Sequence, residues 1–332
     1  MTRSWWIWSE FEVLIMIKGK LELSVIIVNW NTKQLLRDCL TSVYEHAGDV
    51  DYEIIVIDNA SADGSAEMVK SDFRQVILIE NTENRGFAAA NNQGMAIAKG
   101  KYVLLLNSDT VVLDNAIADT VRFADENPQA AVTGCRVQNP DRTLQPTCFM
   151  FPSLLNMLLS STYLYKLFPK NRFFGREQMT WWDRSDVRQV DVVTGCFMLV
   201  RREAIDKVGV MDERFFIYGE ETDWCRRFKQ AGWKVMFTPS ANIIHLGGQS
   251  TQIKATAMAV QLRKSILQYM KKHHSLFVYR IACLLTLIFL AVRLPIWFVI
   301  SLFQRSESSE AVIKKRAYYA CIMNILFGRT NL

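Results

Sequence analysis

Tyr102-Val-Leu-Leu-Leu-Asn-Ser-Asp-Thr110 decides how the chain is read. Tyr102–Leu106 is an unbroken apolar run that stops abruptly at Asn107, Ser108 and Asp109. Such a run suits a strand covered on both faces, as in a parallel sheet with helices packed on each side, because a strand of that kind shows no polar alternation. Ligands of these sheets gather where the strands finish. An amide, a hydroxyl and a carboxylate at that point are hard oxygen donors of the type Mg²⁺ or Mn²⁺ takes while holding a diphosphate. The same residue types form turns, so a plain turn into the next helix stays open on this stretch alone.

Upstream, the pattern repeats. Leu23–Asn29 and Tyr52–Ile57 are β-branched apolar runs that close on polar loops, Trp30-Asn31-Thr32 and Asp58–Gly64. Between them Leu36, Leu40 and Val43 recur at helical spacing, and shorter helices are expected over Ser65–Ser71 and Ala88–Lys99, with a third strand at Val76–Ile79. Alternation of strand and helix with short connections predicts a doubly wound, Rossmann-like parallel sheet with right-handed crossovers. Downstream, a helix is expected over Asp114–Glu126, strands at Ala130–Gly134 and at Val190–Val200 with an interruption at Gly195, and two further strands at Lys234–Phe237 and Asn242–His245.

At 332 residues, half of them hydrophobic, with a mean hydropathy of +0.06, the chain is more apolar than a typical soluble enzyme and less so than a multi-span membrane protein. Charge is unevenly placed. Residues 252–332 hold twelve Lys/Arg against Glu307 and Glu310, a net +10, so the remainder carries −4 of the total +6. A mildly acidic body with a basic, apolar tail points to an anionic membrane surface and away from nucleic acid, for which no motif is present. The seven cysteines are scattered and never form a Cys-x-x-Cys pair, which reads as reduced thiols with no zinc site. Residues 1–21, with Trp5, Trp6 and Trp8, read as an extension ahead of the domain, with an interfacial anchor as the alternative; Val13–Ile17 is too short for a signal core. Residues 148–176 are apolar and aromatic, then basic at Lys170, Arg172 and Arg176. They read as an insertion near an acceptor site or the membrane interface, with a core helix as the alternative.

A second chemical cluster is Phe215-Phe-Ile-Tyr-Gly-Glu-Glu-Thr-Asp-Trp-Cys-Arg-Arg227. Acids in a helix's first turn favour the macrodipole, so capping explains part of it. Three carboxylates within four residues exceed that need, and their crowding lifts a pKa towards a value useful for a base. Asp223, one turn from Arg226 and Arg227, reads as paired, which leaves Glu221 or Glu220 as the base. His245 ends an apolar strand just before Gly247-Gly248, where it reads as structural or as a neutral imidazole ligand.

Taken together, Ser24-Val-Ile-Ile-Val-Asn-Trp-Asn31, Val56-Ile-Asp-Asn-Ala-Ser61, Asn84-Arg-Gly-Phe-Ala88, Leu104-Leu-Leu-Asn-Ser-Asp-Thr110 and Tyr218-Gly-Glu-Glu-Thr-Asp-Trp-Cys225 resemble the family-2 inverting glycosyltransferases of GT-A fold, in the rhamnosyltransferase-like branch. The match spans about residues 22–250 in the family's order. The resemblance implies a nucleotide-diphosphate sugar donor, dTDP-rhamnose first among them. Asp58 then takes the pyrimidine, and Asn29, Asn31, Arg85, Gly86, Asn107 and Ser108 lie along the nucleotide sugar. Asn107-Ser108-Asp109 stands in the place of an Asp-x-Asp motif but begins with Asn, so Asp109 is the carboxylate for Mg²⁺ or Mn²⁺. His245 is a further metal ligand, and Glu221, or Glu220, the catalytic base. A lipid-linked glycan acceptor, used in cell-surface polysaccharide assembly at the cytoplasmic face of the inner membrane, completes the expectation.

Residues 252–332 form the tail. Gln252–Met270 reads as an amphipathic helix leading out of the catalytic domain, and Leu276–Phe303 as an apolar stretch that Arg293 splits. A charge at that position and the basic Lys314-Lys315-Arg316 beyond it predict a shallow hairpin or interfacial helices in place of a single span. Two rivals remain: a sugar-nucleotide-binding subunit without transfer activity, and a dehydrogenase, against which the lack of Gly-x-Gly-x-x-Gly after the first strand argues.

Overall fold

The computed structural model describes residues 21–247, 255–303 and 309–327. The expected extension therefore lies, except for Leu21, outside the described residues, as do residues 248–254 between sheet and tail. Strands β1 (Leu23–Asn29), β2 (Tyr52–Asp58), β3 (Ile77–Glu80) and β4 (Tyr102–Asn107) are parallel, connected by α1 (Lys33–His46), α2 (Ser65–Asp72) and α3 (Phe87–Ile97). Alternate residues explain the layering. Val25, Ile27, Ile54 and Val56 face one core with Leu36, Leu40 and Val43 of α1, while Ile26, Ile55 and Ile57 face the other with Ala88 and Ala90 of α3. All three central strands are covered on both faces, as their unbroken apolar runs require.

The second half departs from an all-parallel sheet. After β4 come β5 (Thr110–Val112), α4 (Ala116–Glu126), β6 (Ala130–Gln138), β7 (Cys148–Phe149), α5 (Leu154–Thr162) and α6 (Leu164–Leu167). They are followed by β8 (Arg188–Gln189), β9 (Val192–Val193), β10 (Phe197–Arg201), α7 (Arg202–Val208), α8 (Glu220–Gln230) and β11 (Lys234–His245). The sheet order is β3-β2-β1-β4-β10-β6-β11-β5, with β10 antiparallel to β4 and β6, and β5 antiparallel to β11. Expected as one interrupted strand, Val190–Val200 is split between two sheets, because β9 pairs with β7 and β10 with β4. Expected as two strands, residues 234–245 are one. A register shift between Phe237 and Asn242 takes Pro239 out of the ladder, where it has no N–H to give.

Three helices close the chain: α9 (Ala255–His273), α10 (Leu276–Phe303) and α11 (Glu310–Phe327). Instead of leading away, α9 returns to the catalytic half: Ser265 Oγ donates to the Ile217 carbonyl (2.9 Å), and Tyr269 stacks on Phe151. Helix α10 runs unbroken through Arg293, where a split was expected. The protein satisfies that charge, since Arg293 donates to the Ser161 carbonyl and its guanidinium lies 4.0 Å from the Phe289 ring centre. One face of α10, with Ala282, Thr286, Phe289 and Leu290, is buried. The opposite face exposes Phe277, Leu284, Ile288, Val292, Ile296, Val299 and Phe303, each more than half accessible. Among the described residues, this helix alone is long and apolar enough to cross a membrane by length and composition.

Candidate active site

Register delivers the first group of side chains. Asn29 lies beside Asp58 and Val28 beside Asn107, so three parallel strands finish together. Asn29 Nδ2 donates to Asp58 Oδ1 (3.0 Å) and to Ser61 Oγ (3.1 Å), and its Oδ1 accepts from Thr32 Oγ1 (2.6 Å). Thr32 Oγ1 lies 2.9 Å from Ser108 Oγ. The Ser61 amide donates to the other Asp58 oxygen (2.9 Å), and Asn31, at φ 53°, accepts the Ala62 amide (2.7 Å). Asn29, Asn31, Asp58 and Ser108 are thus one network. Thr32 and Ser61 complete it and went unnoticed in the sequence, although both adjoin the motifs; a lone hydroxyl in a loop gives no pattern. Asn59 is a second omission, donating to Asn84 Oδ1 and the Gly86 carbonyl and accepting the Arg85 amide.

Gly86 has φ 82°, and a Cβ there would meet the Phe216 carbonyl oxygen at 2.4 Å. The Phe87 amide donates to that same oxygen (2.7 Å), which joins this loop to the segment leading into α8. The Arg85 side chain is exposed and has no partner among the described residues.

Asp109 does not turn the chain into a helix; it turns it into β5. Because β5 pairs with β11, with Thr110 opposite His245, Asp109 and His245 become neighbours across more than a hundred residues. His245 Nε2 lies 3.2 Å from Asp109 Oδ1 and 3.2 Å from Asn107 Nδ2. Gln145, which the sequence did not single out, fixes the ring. Its Nε2 donates to the His245 carbonyl (3.1 Å) and to Asn139 (2.8 Å), so its Oε1, 2.7 Å from Nδ1, accepts the ring proton. The Nε2 lone pair then faces a carboxylate oxygen, and a nitrogen–oxygen pair of this kind suits a divalent cation. Among the described residues no group of three or more His, Cys, Asp or Glu gathers, so further ligands would be diphosphate oxygens and water.

Tyr218 (φ 67°) and Gly219 (φ 94°) bring the chain into α8 through two left-handed residues, and no side chain caps the helix. Glu220 and Glu221 follow, and one buried oxygen of each has no partner among the described residues. Burial pushes both carboxyls above the usual range, Glu220 further because the charge of Glu221 adds to it, and Glu220 donates a hydrogen bond to Glu221. Asp223 behaves oppositely. Burial would raise it, but hydrogen bonds from His273 (2.7 Å), Lys272 (2.6 Å) and Arg227 (2.9 Å) outweigh burial and hold it below the usual range. Of the two expected partners only Arg227 reaches it; Arg226 turns to the Tyr269 hydroxyl (3.3 Å).

Cys196, just ahead of β10, is buried. Burial pushes its thiol up to about 11, and both Asp109 and Glu221 add to the shift. Beside Thr222 opens a cavity of about 460 Å³ between the 148–178 segment and helices α9 and α10, lined by Phe149, Ser160, Glu177, Arg263, Thr286 and Phe289 among others. Burial raises the Glu177 carboxyl there despite Ser160 and Arg263.

A sheet that gathers Asn29, Asp58 and Asp109 at its parallel strand ends, with His245 beside Asp109, is the architecture of a GT-A glycosyltransferase, an enzyme that uses a nucleotide sugar. The sequence model described as "Glycosyl transferase family 2" matches residues 24–209, and the chain belongs to that family. It is 27% identical over 233 residues to the N-acetylglucosaminyl-diphospho-decaprenol L-rhamnosyltransferase of Mycobacterium tuberculosis, covering 67% of this chain and 75% of that one. It is 24% identical to the rhamnosyltransferase WbbL of Escherichia coli, covering 67% and 82%. In fold it is similar to the mannosyltransferase PcManGT from Pyrobaculum calidifontis, solved with GDP-Man and Mn²⁺, with a TM-score of 0.57 at 15% identity over 94% of this chain and 89% of that one.

Proposed function

We propose that this enzyme transfers L-rhamnose from dTDP-rhamnose, with inversion, to a lipid-linked glycan acceptor at the cytoplasmic face of the membrane. The observation that carries the reading is the Asp109–His245 pair at the sheet edge that also holds Asn29 and Asp58. Asp58, Asn29 and Asn31 seat the nucleotide, and exposed Arg85 reaches its diphosphate. Asp109 and His245 hold Mg²⁺ or Mn²⁺, whose chemistry is to neutralise charge on the departing diphosphate. Glu221 accepts the proton of the attacking hydroxyl, while Glu220, kept protonated by burial, holds Glu221 in place. The names of the two rhamnosyltransferase relatives support the sugar, and that of the mycobacterial enzyme supports a diphospho-lipid acceptor. Catalytic residues 22–251 and a membrane-associated tail, 252–332, divide the work. The apolar face of α10, parallel to the face that packs on the protein, fits a helix lying in the interface. The test is transfer from a panel of UDP-, dTDP- and GDP-sugars to a polyprenyl-diphosphate-linked GlcNAc, with and without EDTA. Rhamnose transfer that EDTA stops supports the reading; transfer of another sugar, or transfer that EDTA leaves intact, overturns the donor or the metal.

A further inference from the structure

On the side of α9 away from the 460 Å³ cavity, Arg214, Lys264, Lys271 and Lys272 line a cleft of about 690 Å³ closed by Tyr279 of α10 and Ile325 of α11. No acid lines it. Behind the wall, Arg214 and Lys272 are engaged by Asp212 (2.6 and 2.7 Å), and Lys272 also by Asp223. Lys264 and Lys271 have no hydrogen bond or ion pair to any described residue, so the cleft carries two uncompensated positive charges. Within three residues of its lining Tyr279 and Ile325, Leu276 and Phe277 at the start of α10 and Leu326 and Phe327 at the end of α11 are apolar and exposed.

Cations near exposed apolar side chains fit an amphiphile with a phosphate head, because the charges meet the phosphate while the chains continue along the bare face of α10. We propose that this cleft binds the phosphate headgroup of an anionic membrane lipid, which fixes where along the membrane surface the enzyme sits. The proposal rests on the reading of α10 as an interfacial helix.

The experiment is flotation of the full chain with vesicles of phosphatidylcholine alone and of phosphatidylcholine mixed with phosphatidylglycerol. Lys264→Ala/Lys271→Ala is expected to weaken binding to the anionic vesicles roughly 30-fold, from about 1 kcal/mol per lysine near such a surface, and to leave binding to neutral vesicles unchanged. Lys99→Ala/Lys234→Ala, with the same charge removed from the catalytic half, is expected to bind as wild type does. Thermal melting of both variants checks that each is folded. Equal binding of wild type and the Lys264/Lys271 variant to anionic vesicles, or equal loss in both double variants, overturns the cleft. Wild-type binding that ignores phosphatidylglycerol overturns the cleft while α10 remains interfacial. Binding to neither vesicle overturns both.

Discussion

At the end of β4 one carboxylate, Asp109, meets a histidine nitrogen 3.2 Å away, whereas at the start of α8 two glutamates are buried with an oxygen of each left unpartnered among the described residues. Two residues further on, Asp223 is saturated by Lys272, His273 and Arg227. These acids differ mainly in their neighbours. A carboxylate beside an imidazole lone pair is ready for a cation; a buried carboxylate without a cation beside it holds on to protons; a carboxylate bound by a lysine, an arginine and a histidine does structural work. The comparison therefore assigns roles that residue type alone does not.

The largest effects come from exchanging those environments. Asp109→Ala is expected to abolish transfer together with metal-dependent donor binding. Glu221→Gln is expected to lower kcat by about 10²–10⁴, the usual worth of general-base assistance, while donor binding is retained. Calorimetric titration with the nucleotide sugar, with and without Mn²⁺, separates the two. If both variants lose donor binding alike, the division into a cation site and a proton-accepting site is broken.

A smaller effect sharpens the cation side. Gln145 fixes the His245 ring through Nδ1. Gln145→Ala is expected to raise the Mn²⁺ concentration for half-maximal activity by 10–100-fold, roughly the cost of losing such a ring-orienting partner, with most of the rate recovered at saturating metal. An unchanged metal requirement would mean that His245 is not a ligand.

The first half of the fold was legible because each parallel strand between two helical layers writes its burial as an unbroken apolar run, and each such run ends in a polar loop. Asp58 and Asp109 could be found for that reason. What followed β4 was harder. Strand β5 is only Thr110–Val112, too short for any periodicity, yet its pairing with β11 brings Asp109 to His245. Gln145 sits on an irregular loop a hundred residues from the ring it holds, and no local pattern encodes such a contact. The tail shows the same limit. Its charges were read together as a basic tail facing an anionic membrane, while Lys272 and His273 bond to a buried aspartate whose own spacing pointed to arginines. Composition finds charges; only packing says which opposite charge they meet.

The smallest expected effect tests the division inside the glutamate pair. Burial and the charge of Glu221 both raise Glu220, so its proton is kept longer in the fold than in the unfolded chain. Stability linked to such a group is fully present below the unfolded value, ordinarily 4.5, and is lost as pH rises through the elevated folded value. Glu220→Gln removes that titration but keeps a donor for Glu221, because the amide nitrogen takes over from the carboxyl proton. The variant is thus expected to lose less melting temperature than wild type between about pH 5 and pH 8, and to keep transfer within about tenfold, less than 1.4 kcal/mol of barrier. Melting curves across that range and initial rates at neutral pH measure both. A variant that melts with the wild-type pH dependence leaves Glu220 without its proton-holding role, and one that abolishes transfer while Glu221→Gln does not makes Glu220 the base.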